Sequence, residues 1–298
     1  MTARHLLVLL AGVVAVSWAA PLVRLAGDAP SLTIAALRLS IAAPVMGAVA
    51  AGTRRDELRR ITRRDLALLV LAGLVLAGHF AFWIASIQRT SVVASVVLVT
   101  MNPVFVSLGA WAWLHERPSN AVLAGTAIAL AGALLLAAED IGDRVSLTGD
   151  LLALIGSLLA SVYLVIGRGV RARMSTVGYS AVVNAVAAAT LLAVMFAAGA
   201  QVRGLGGESY LLIMLIALGP QLIGHNSFNW ALGSLPAAVV AIAILGESVG
   251  ATLIAAVVLD EVPTLLQWLG GSVVLAGLYV ALRRVRLQDL ATIEEAAL

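Results

Sequence analysis

Residues 237–261 read AAVVAIAILGESVGATLIAAVVLDE, and residues 92–116 read VVASVVLVTMNPVFVSLGAWAWLHE. Each stretch begins with about 20 mainly apolar residues, which is the length of α-helix that crosses a hydrocarbon core about 30 Å thick. Each stretch ends on a glutamate, and Glu261 follows Glu116 by 145 positions. The two stretches therefore predict membrane-spanning helices that belong to a repeated unit.

The composition of the whole chain supports this prediction. Of the 298 residues, 61% are hydrophobic and 12% are charged, whereas a soluble domain carries about 25% charged residues. The mean hydropathy is +1.03. This amount of polar surface is too small to cover a water-exposed globule, so the sequence predicts an all-α integral membrane protein.

The same counts exclude several function classes. Ten spans would fill roughly two-thirds of the chain, which leaves short loops and no separate catalytic, receptor or nucleotide-binding domain. The net charge is only +3 and no concentrated basic face is present, so we expect no nucleic-acid partner. The absence of cysteine excludes disulfides, thiolate metal sites and cysteine nucleophiles. We expect no metal, no cofactor and no enzymatic activity.

Apolar stretches separated by charge or turn signals predict ten transmembrane helices. The first stretch is too long for the hydrophobic region of a signal peptide, so we expect a retained helix there. The predicted spans are 5–23, 32–51, 66–87, 91–114, 119–138, 150–167, 177–198, 209–231, 237–259 and 264–282.

The distribution of arginine predicts the orientation, because cytoplasmic loops retain positive charge. If the N-terminus is cytoplasmic, the outer loops hold Arg24, Arg89, Arg144 and Arg203, and the second span holds Arg38. The other fourteen of the 19 basic residues then lie on the inner side. We therefore predict that both termini are cytoplasmic.

The two halves of the chain are similar at an offset of about 145 residues. The aligned pairs are Trp18 and Tyr163, His79 and His225, Gly125 and Gly270, and Gly132 and Gly277. The acidic loop at 139–150 divides the halves. We predict a first repeat at 1–140, a second repeat at 149–283 and a cytoplasmic tail at 284–298.

Each predicted repeat contains five spans. Because five is an odd number, the second copy must enter the membrane in the opposite sense to the first. Inverted repeats are characteristic of secondary transporters, in which two copies rock around one central site. The predicted fold is therefore ten transmembrane helices arranged as two inverted five-helix repeats.

Short motifs within the repeats identify a family. The first half contains Asn102-Pro103-Val104-Phe105 and His115-Glu116-Arg117, and the second contains Gly246-Glu247-Ser248 and Leu259-Asp260-Glu261. With the duplicated glycines, these motifs resemble the EamA-type branch of the drug/metabolite transporter superfamily. The resemblance implies a plasma (inner) membrane exporter of small metabolites, commonly amino acids, drugs or related compounds. Ser248 stands where a proline often follows the glutamate in related proteins.

Four ionisable residues, Arg38, His79, His225 and Glu247, lie at membrane depth, where a charge costs about 2.5–3.5 kcal/mol on insertion scales. Glu247 could bind a proton or a substrate amine, or it could be a protonated structural residue. The histidines occupy equivalent positions in the two copies, which favours a shared central cavity, although two packing histidines would give the same pattern. Arg38 could bind a substrate carboxylate through its bidentate guanidinium, or it could snorkel or pair structurally.

The remaining candidates are neutral side chains. Asn102 precedes Pro103, whose ring removes a backbone hydrogen bond and either exposes a ligand-binding carbonyl or produces a packing kink. Trp18, Trp83 and Tyr163 lie deep enough to line an apolar cavity or to cover a cation, and lipid-facing or core packing is equally open for them. Asn229, which shares a helix stripe with His225, could also shape the cavity. Six aromatic residues lie toward helix ends and fit the interfacial belt: Trp111, Trp113, Tyr179, Tyr210, Trp268 and Tyr279.

The sequence therefore predicts a secondary transporter that exports small metabolites by alternating access. Amino acids or related amphipathic compounds are the expected substrates, by family resemblance, and Glu247, His79 and His225 are the candidates for proton coupling. A facilitated exchanger without proton coupling is the alternative. An intramembrane enzyme is a third interpretation, but it requires a metal or nucleophile constellation that the sequence lacks. The expected partners are the solute and the lipid bilayer, and the oligomeric state is not predicted.

Overall fold

The computed structural model describes residues 1–138, 146–200, 202–259 and 263–295, with side chains described as far as residue 283. Within these ranges the secondary structure is helical and contains no β-strand, and ten helices are long and apolar enough to cross a membrane. The predicted all-α membrane fold with ten spans is confirmed. Residues 139–145 of the acidic loop, and Glu261, lie outside the described ranges.

The ten helices are numbered in chain order. They are α1 (Ala3–Leu25), α2 (Ser31–Thr53), α3 (Arg63–Ile87), α4 (Val92–Leu114), α5 (Asn120–Ala137), α6 (Leu147–Arg171), α7 (Thr176–Ala197), α8 (Gly207–Ala231), α9 (Ala237–Val258) and α10 (Leu265–Glu295). A short helix, Arg55–Arg59, lies between α2 and α3. The tenth helix continues beyond residue 283, where the predicted tail begins.

Hydroxyl side chains cap the starts of seven helices. Each accepts a hydrogen bond from the backbone N–H three residues later, which satisfies one of the free donors of the first turn. These caps are Thr2, Thr62, Ser91, Ser119, Ser146, Ser175 and Thr264. The cap at Ser146 explains why α6 begins at Leu147, three residues before the predicted start of that span.

Two of the spanning helices are interrupted near their midpoints. In α4 the helix stops at Val99 and restarts at Asn102, directly before Pro103, whose ring lacks the N–H that a continuous helix requires. In α9 it stops at Ile244 and restarts at Gly246 without any proline. There the Ser248 hydroxyl donates to the Leu245 carbonyl at 2.7 Å. A hydroxyl that competes for a backbone acceptor is a recognised cause of helix distortion.

Glycines bring α5 and α10 into backbone contact. A Cβ atom added to Gly132 would lie 2.5 Å from the Val274 nitrogen, and one added to Gly125 would lie 2.6 Å from the Gly277 oxygen. The later position on α5 therefore meets the earlier position on α10, so the two helices run antiparallel. Only glycine permits this distance between backbones.

Glycines also fix the helices that surround the centre of the bundle. A Cβ on Gly224 of α8 would lie 2.5 Å from a Val16 side-chain carbon of α1, and one on Gly250 of α9 would lie 2.1 Å from the Ser17 hydroxyl. A Cβ on Gly156 of α6 would meet the side chain of Trp83 on α3 at 3.3 Å. These contacts hold α1, α8 and α9 together on one side and α3 and α6 on another.

We expect Gly132→Ala to lower the melting temperature of the purified protein in detergent. The added methyl group cannot fit against the α10 backbone, and overpacking of this kind typically costs about 1–3 kcal/mol. Gly47→Ala on α2 is the matched control, because a Cβ there has no neighbour within 4 Å and alanine favours helix. Equal melting temperatures for wild type and Gly132→Ala would contradict the close packing.

Candidate functional site

A cavity lies among α1, α3, α4, α6, α8 and α9, at the level of the two helix interruptions. It contains about 590 Å³ of space, including its open mouth. Much of its wall is apolar and comes from residues such as Val16, Leu164, Phe228 and Ile244. The side chains with polar atoms that line it are His79, Trp83, Thr100, Asn102, Tyr163, His225 and Glu247. Six of the nine predicted site residues therefore lie around one space.

Asn102 and Glu247 occupy equivalent positions at the two interruptions. Glu247 follows Asn102 by 145 residues, which is the offset of the repeat, and each lies in the first turn after its break. Asn102 Oδ1 is buried and accepts no hydrogen bond from the described residues. Glu247 is 8% exposed, and none of the hydrogen bonds or ion pairs of the described chain reaches its carboxyl group. Two polar groups without a hydrogen-bond partner thus belong to the same cavity wall, and one of them, Glu247, also interacts electrostatically with the buried Arg38 guanidinium.

The two histidines are neighbours across the cavity. Their ring centroids lie 6.4 Å apart, and the His79 ring stacks on Trp83 at 6.0 Å with an interplanar angle of 4°. His79 Nδ1 lies 2.9 Å from the Gly156 carbonyl oxygen. Because a carbonyl only accepts, Nδ1 carries the hydrogen, and in the neutral ring Nε2 is left as an acceptor. His225 meets the ring of Phe80 edge-on at 5.2 Å.

Tyr163 and Asn229 form a hydrogen-bonded pair at one end of the cavity. The Tyr163 hydroxyl donates to Asn229 Oδ1 at 2.6 Å, and Asn229 Nδ2 donates to the Ser180 hydroxyl at 3.2 Å. Arg171 Nε donates to the Asn229 backbone oxygen at 2.8 Å. Asn229 therefore lies behind Tyr163 and positions it, and does not itself line the cavity.

Arg38 is fully buried but does not line the cavity. Its guanidinium carbon lies 3.9 Å from the centroid of the Phe80 ring, and Nη2 donates to Gln221 Oε1 at 2.8 Å. Gln221 Nε2 in turn donates to Asn184 Oδ1 at 3.2 Å. Nε and Nη1 of Arg38 are buried without a hydrogen-bond partner among the described residues. Arg38 thus belongs to a polar network behind Phe80, and it does not snorkel.

The structure does not bring Trp18 to the cavity. Trp18 lies at the junction of two helical segments of α1 and is 42% exposed, whereas Val16 and Ala19 of the same helix line the cavity. Its repeat mate Tyr163 is 4% exposed. The junction turns the indole outward, so equivalent positions have different surroundings in the two halves.

The assignment of Tyr179 to the interfacial belt is wrong. Its side chain is completely buried, and its ring centroid lies 6.1 Å from that of Tyr163. Thr100 and Phe228 also line the cavity and were not predicted. Phe228 could have been found from the helical spacing, because it lies three residues after His225 on the same helix.

A carboxylate ties three helices together at the end of the bundle that the arginine count predicts to be cytoplasmic. Glu116, just after α4, accepts from Arg168 Nε of α6 at 2.6 Å and from the Ala237 backbone N–H of α9 at 3.2 Å. Arg168 also donates to the Leu232 backbone oxygen at 3.0 Å. The contact joins the first half of the chain to the second.

Ten spanning helices around a central cavity with polar residues at two helix interruptions define a multi-pass membrane protein of the transporter class. A model of the EamA-like transporter family matches residues 3–138 and again residues 147–283. The chain belongs to this family, as the resemblance of its motifs predicts. It is a membrane protein of a family that transports small solutes across the lipid bilayer.

Individual proteins are also similar to the chain. An uncharacterized transporter of Bacillus subtilis (strain 168), YwfM, is 26% identical over 229 residues, which are 75% of this chain and 76% of the relative. A solved structure, described only as the crystal structure of a protein, superposes with a TM-score of 0.77 at 21% identity. It covers 97% of this chain and 100% of its own. This last similarity supports the fold.

We expect Tyr163→Phe to lower the melting temperature. The substitution leaves the buried Asn229 Oδ1 without its donor, and an unpaired buried acceptor costs about 1–3 kcal/mol. Tyr279→Phe is the control, because the Tyr279 side chain is 62% exposed. If both variants melt with the wild type, the Tyr163–Asn229 hydrogen bond contributes nothing to stability.

Proposed function

We propose that the chain is a secondary transporter that exports small amphipathic metabolites, such as amino acids or related compounds, by alternating access around the central cavity. The observation that carries this proposal is that one cavity receives the residues of both helix interruptions, Asn102 and Glu247. Discontinuous spanning helices are where transporters place their substrate and ion sites. The solute is moved without chemical change, so the protein is not an enzyme.

Alternating access requires two halves that can rock against each other, and we propose that 1–140 and 149–283 are these halves. Each half contains five spans. The antiparallel packing of α5 on α10 supports inversion, because equivalent helices of two inverted copies run in opposite directions. With the termini on the cytoplasmic side, the contact of Glu116 with Arg168 and Ala237 closes the inner end of the bundle.

Glu247 is the proposed centre of the transport chemistry. Among the described residues that line the cavity it supplies the one carboxyl group, and no arginine or lysine lies beside it in the wall. The buried Arg38 guanidinium acts on this carboxyl electrostatically from outside the wall but forms no hydrogen bond with it. A buried carboxyl without a hydrogen-bond partner binds either a proton or a cationic group of the solute, since a buried charge without hydrogen bonds is strongly unfavourable. His79 and His225 lie in the same wall and can accept or donate a proton. We propose that these three residues couple solute movement to protons.

We expect Glu247→Gln to reduce saturable solute flux into proteoliposomes by on the order of tenfold or more, because a charge-assisted hydrogen bond is replaced by a weaker neutral one. A panel of candidate solutes is measured with and without a pH gradient. Glu208→Gln, at an exposed glutamate of α8, is the matched control and keeps wild-type flux. Wild-type flux and an unchanged response to the gradient in Glu247→Gln would overturn the coupling role. If the pH gradient does not change solute flux through the wild-type protein, facilitated exchange is the favoured mechanism.

Alternating access predicts that the inner end opens when the Glu116 contact is removed. The absence of native cysteine allows a single cysteine in the cavity, Ala160→Cys, to report accessibility. We expect Glu116→Gln to speed its reaction with a membrane-impermeant maleimide from the cytoplasmic side. A charge-assisted hydrogen bond of about 1.5–3 kcal/mol corresponds to a shift in the two-state equilibrium of tenfold or more.

The control substitution is made in the same Ala160→Cys protein. Glu208→Gln, at the opposite end of the bundle, leaves the reaction rate of the Ala160→Cys protein unchanged from the cytoplasmic side. Equal rates with and without Glu116→Gln would mean that this contact does not close the cavity.

A further inference from the structure

The cavity wall contains polar atoms that the protein itself leaves unpaired. Asn102 Oδ1 and Trp83 Nε1 are both buried without a hydrogen-bond partner in the described chain. The Glu247 carboxyl lacks a donor, and Nε2 of His79 remains an acceptor when Nδ1 is bound to Gly156. The wall therefore offers three kinds of acceptor, and its donors are the indole N–H of Trp83, the side-chain amide N–H groups of Asn102 and the ring N–H of neutral His225. A ligand that complements it supplies several N–H or O–H donors.

We propose that the preferred substrates are small apolar primary amines, bound as ammonium ions by Glu247 with Asn102 and His79. An ammonium group carries three N–H donors and one positive charge, so it can pair with the carboxylate and with two neutral acceptors at once. This inference rests on the proposed transport function and narrows the substrate class within it.

Among the described residues no arginine lines this cavity, although the charge of Arg38 acts electrostatically on Glu247 and on both histidines, so a carboxylate on the substrate has no cation in direct contact with it. Arg38 lies behind the Phe80 ring with Nη2 bound to Gln221. Arg168 is bound to Glu116, and Arg171 donates to the Asn229 backbone oxygen and to Thr176. None of these guanidinium groups lines the cavity. A zwitterionic amino acid would therefore bring its carboxylate into an apolar space beside Glu247, where like charges repel.

The rest of the wall suits a hydrocarbon or aromatic group. Val16, Ala19, Leu164 and Ile244 provide aliphatic surface, and Phe228 adds a ring. The parallel stack of His79 and Trp83 presents a flat face on which an aromatic ring can pack and over which a cation is attracted. An amine with one apolar group of modest size matches both parts of the cavity.

The test measures binding to the purified full-length protein in detergent, by calorimetry and thermal shift, with four matched probes. These are 2-phenylethylamine, its N,N,N-trimethyl derivative, L-phenylalanine and 3-phenylpropionate. We expect the primary amine to bind at least about tenfold more tightly than each of the others, because a site built for hydrogen bonds discriminates strongly against ligands that lack them. The trimethyl derivative keeps the positive charge and loses the N–H donors, so its affinity separates the contribution of the charge from that of the hydrogen bonds.

Variants assign the contacts. We expect Glu247→Gln to weaken binding of 2-phenylethylamine at least about tenfold, and Asn102→Leu to weaken it several-fold. Asn102→Leu should leave binding of the trimethyl derivative unaffected. Glu208→Gln, far from the cavity, is the control for general effects on the protein.

Two outcomes overturn the inference and differ from a failure of the transport function. If L-phenylalanine binds as tightly as the amine and loses its affinity in Arg38→Gln, Arg38 reaches the substrate carboxylate and the amine inference is wrong. Glu247-dependent flux of phenylalanine would then leave the transport proposal intact. Absence of binding by 2-phenylethylamine, alongside saturable flux of another solute, would reject the amine class alone. The transport proposal fails only if no solute of the flux panel shows saturable movement.

Discussion

Every structural feature of the site depends on one constraint, which is that lipid cannot form hydrogen bonds with the backbone. A spanning helix can be interrupted only where the freed backbone groups are enclosed by protein or face water. The interruptions of α4 and α9, after Val99 and after Ile244, are accordingly enclosed by neighbouring helices. Because both interruptions lie at the same depth, the helices that enclose them also surround a common space. The cavity is thus a consequence of where the two helices break.

Glycines determine how closely the helices around the cavity can pack against one another. Without a side chain at Gly132 and Gly125, α5 and α10 touch backbone to backbone at the edge of the bundle. Gly224 and Gly250 bring α8 and α9 against α1 in the same way, which places Val16 in the cavity wall and turns Glu247 toward it. Helix contact through small residues requires no long interdigitating side chains. The bundle therefore holds a hollow centre within tightly packed surroundings.

Hydropathy and the repeat predicted the ten spans and six of the cavity residues, because length, apolarity and internal similarity are all local properties of the chain. The directions in which side chains point were harder to predict. Tyr179 was assigned to the wrong surroundings, and the sequence left Trp18 open between the cavity and the lipid, since a uniformly apolar helix carries no amphipathic signal that separates the protein side from the lipid side. The partner of Arg38 lies 183 positions away, at Gln221, and no local pattern identifies it. The break in α9 depends on a hydroxyl contact and not on proline, so it too lacked a strong signal.

The site is built on a duplicated frame, but its chemistry is one-sided: an amide stands at one interruption and a carboxyl group at the equivalent point of the other. In the site that we propose, a solute held between Asn102 and Glu247 has a single favourable pose, since turning it end over end would exchange a charged contact for a neutral one. The binding pose is therefore the same whichever face of the membrane the cavity opens to. Discrimination between mirror-image forms of a solute would then be equal for inward and outward movement.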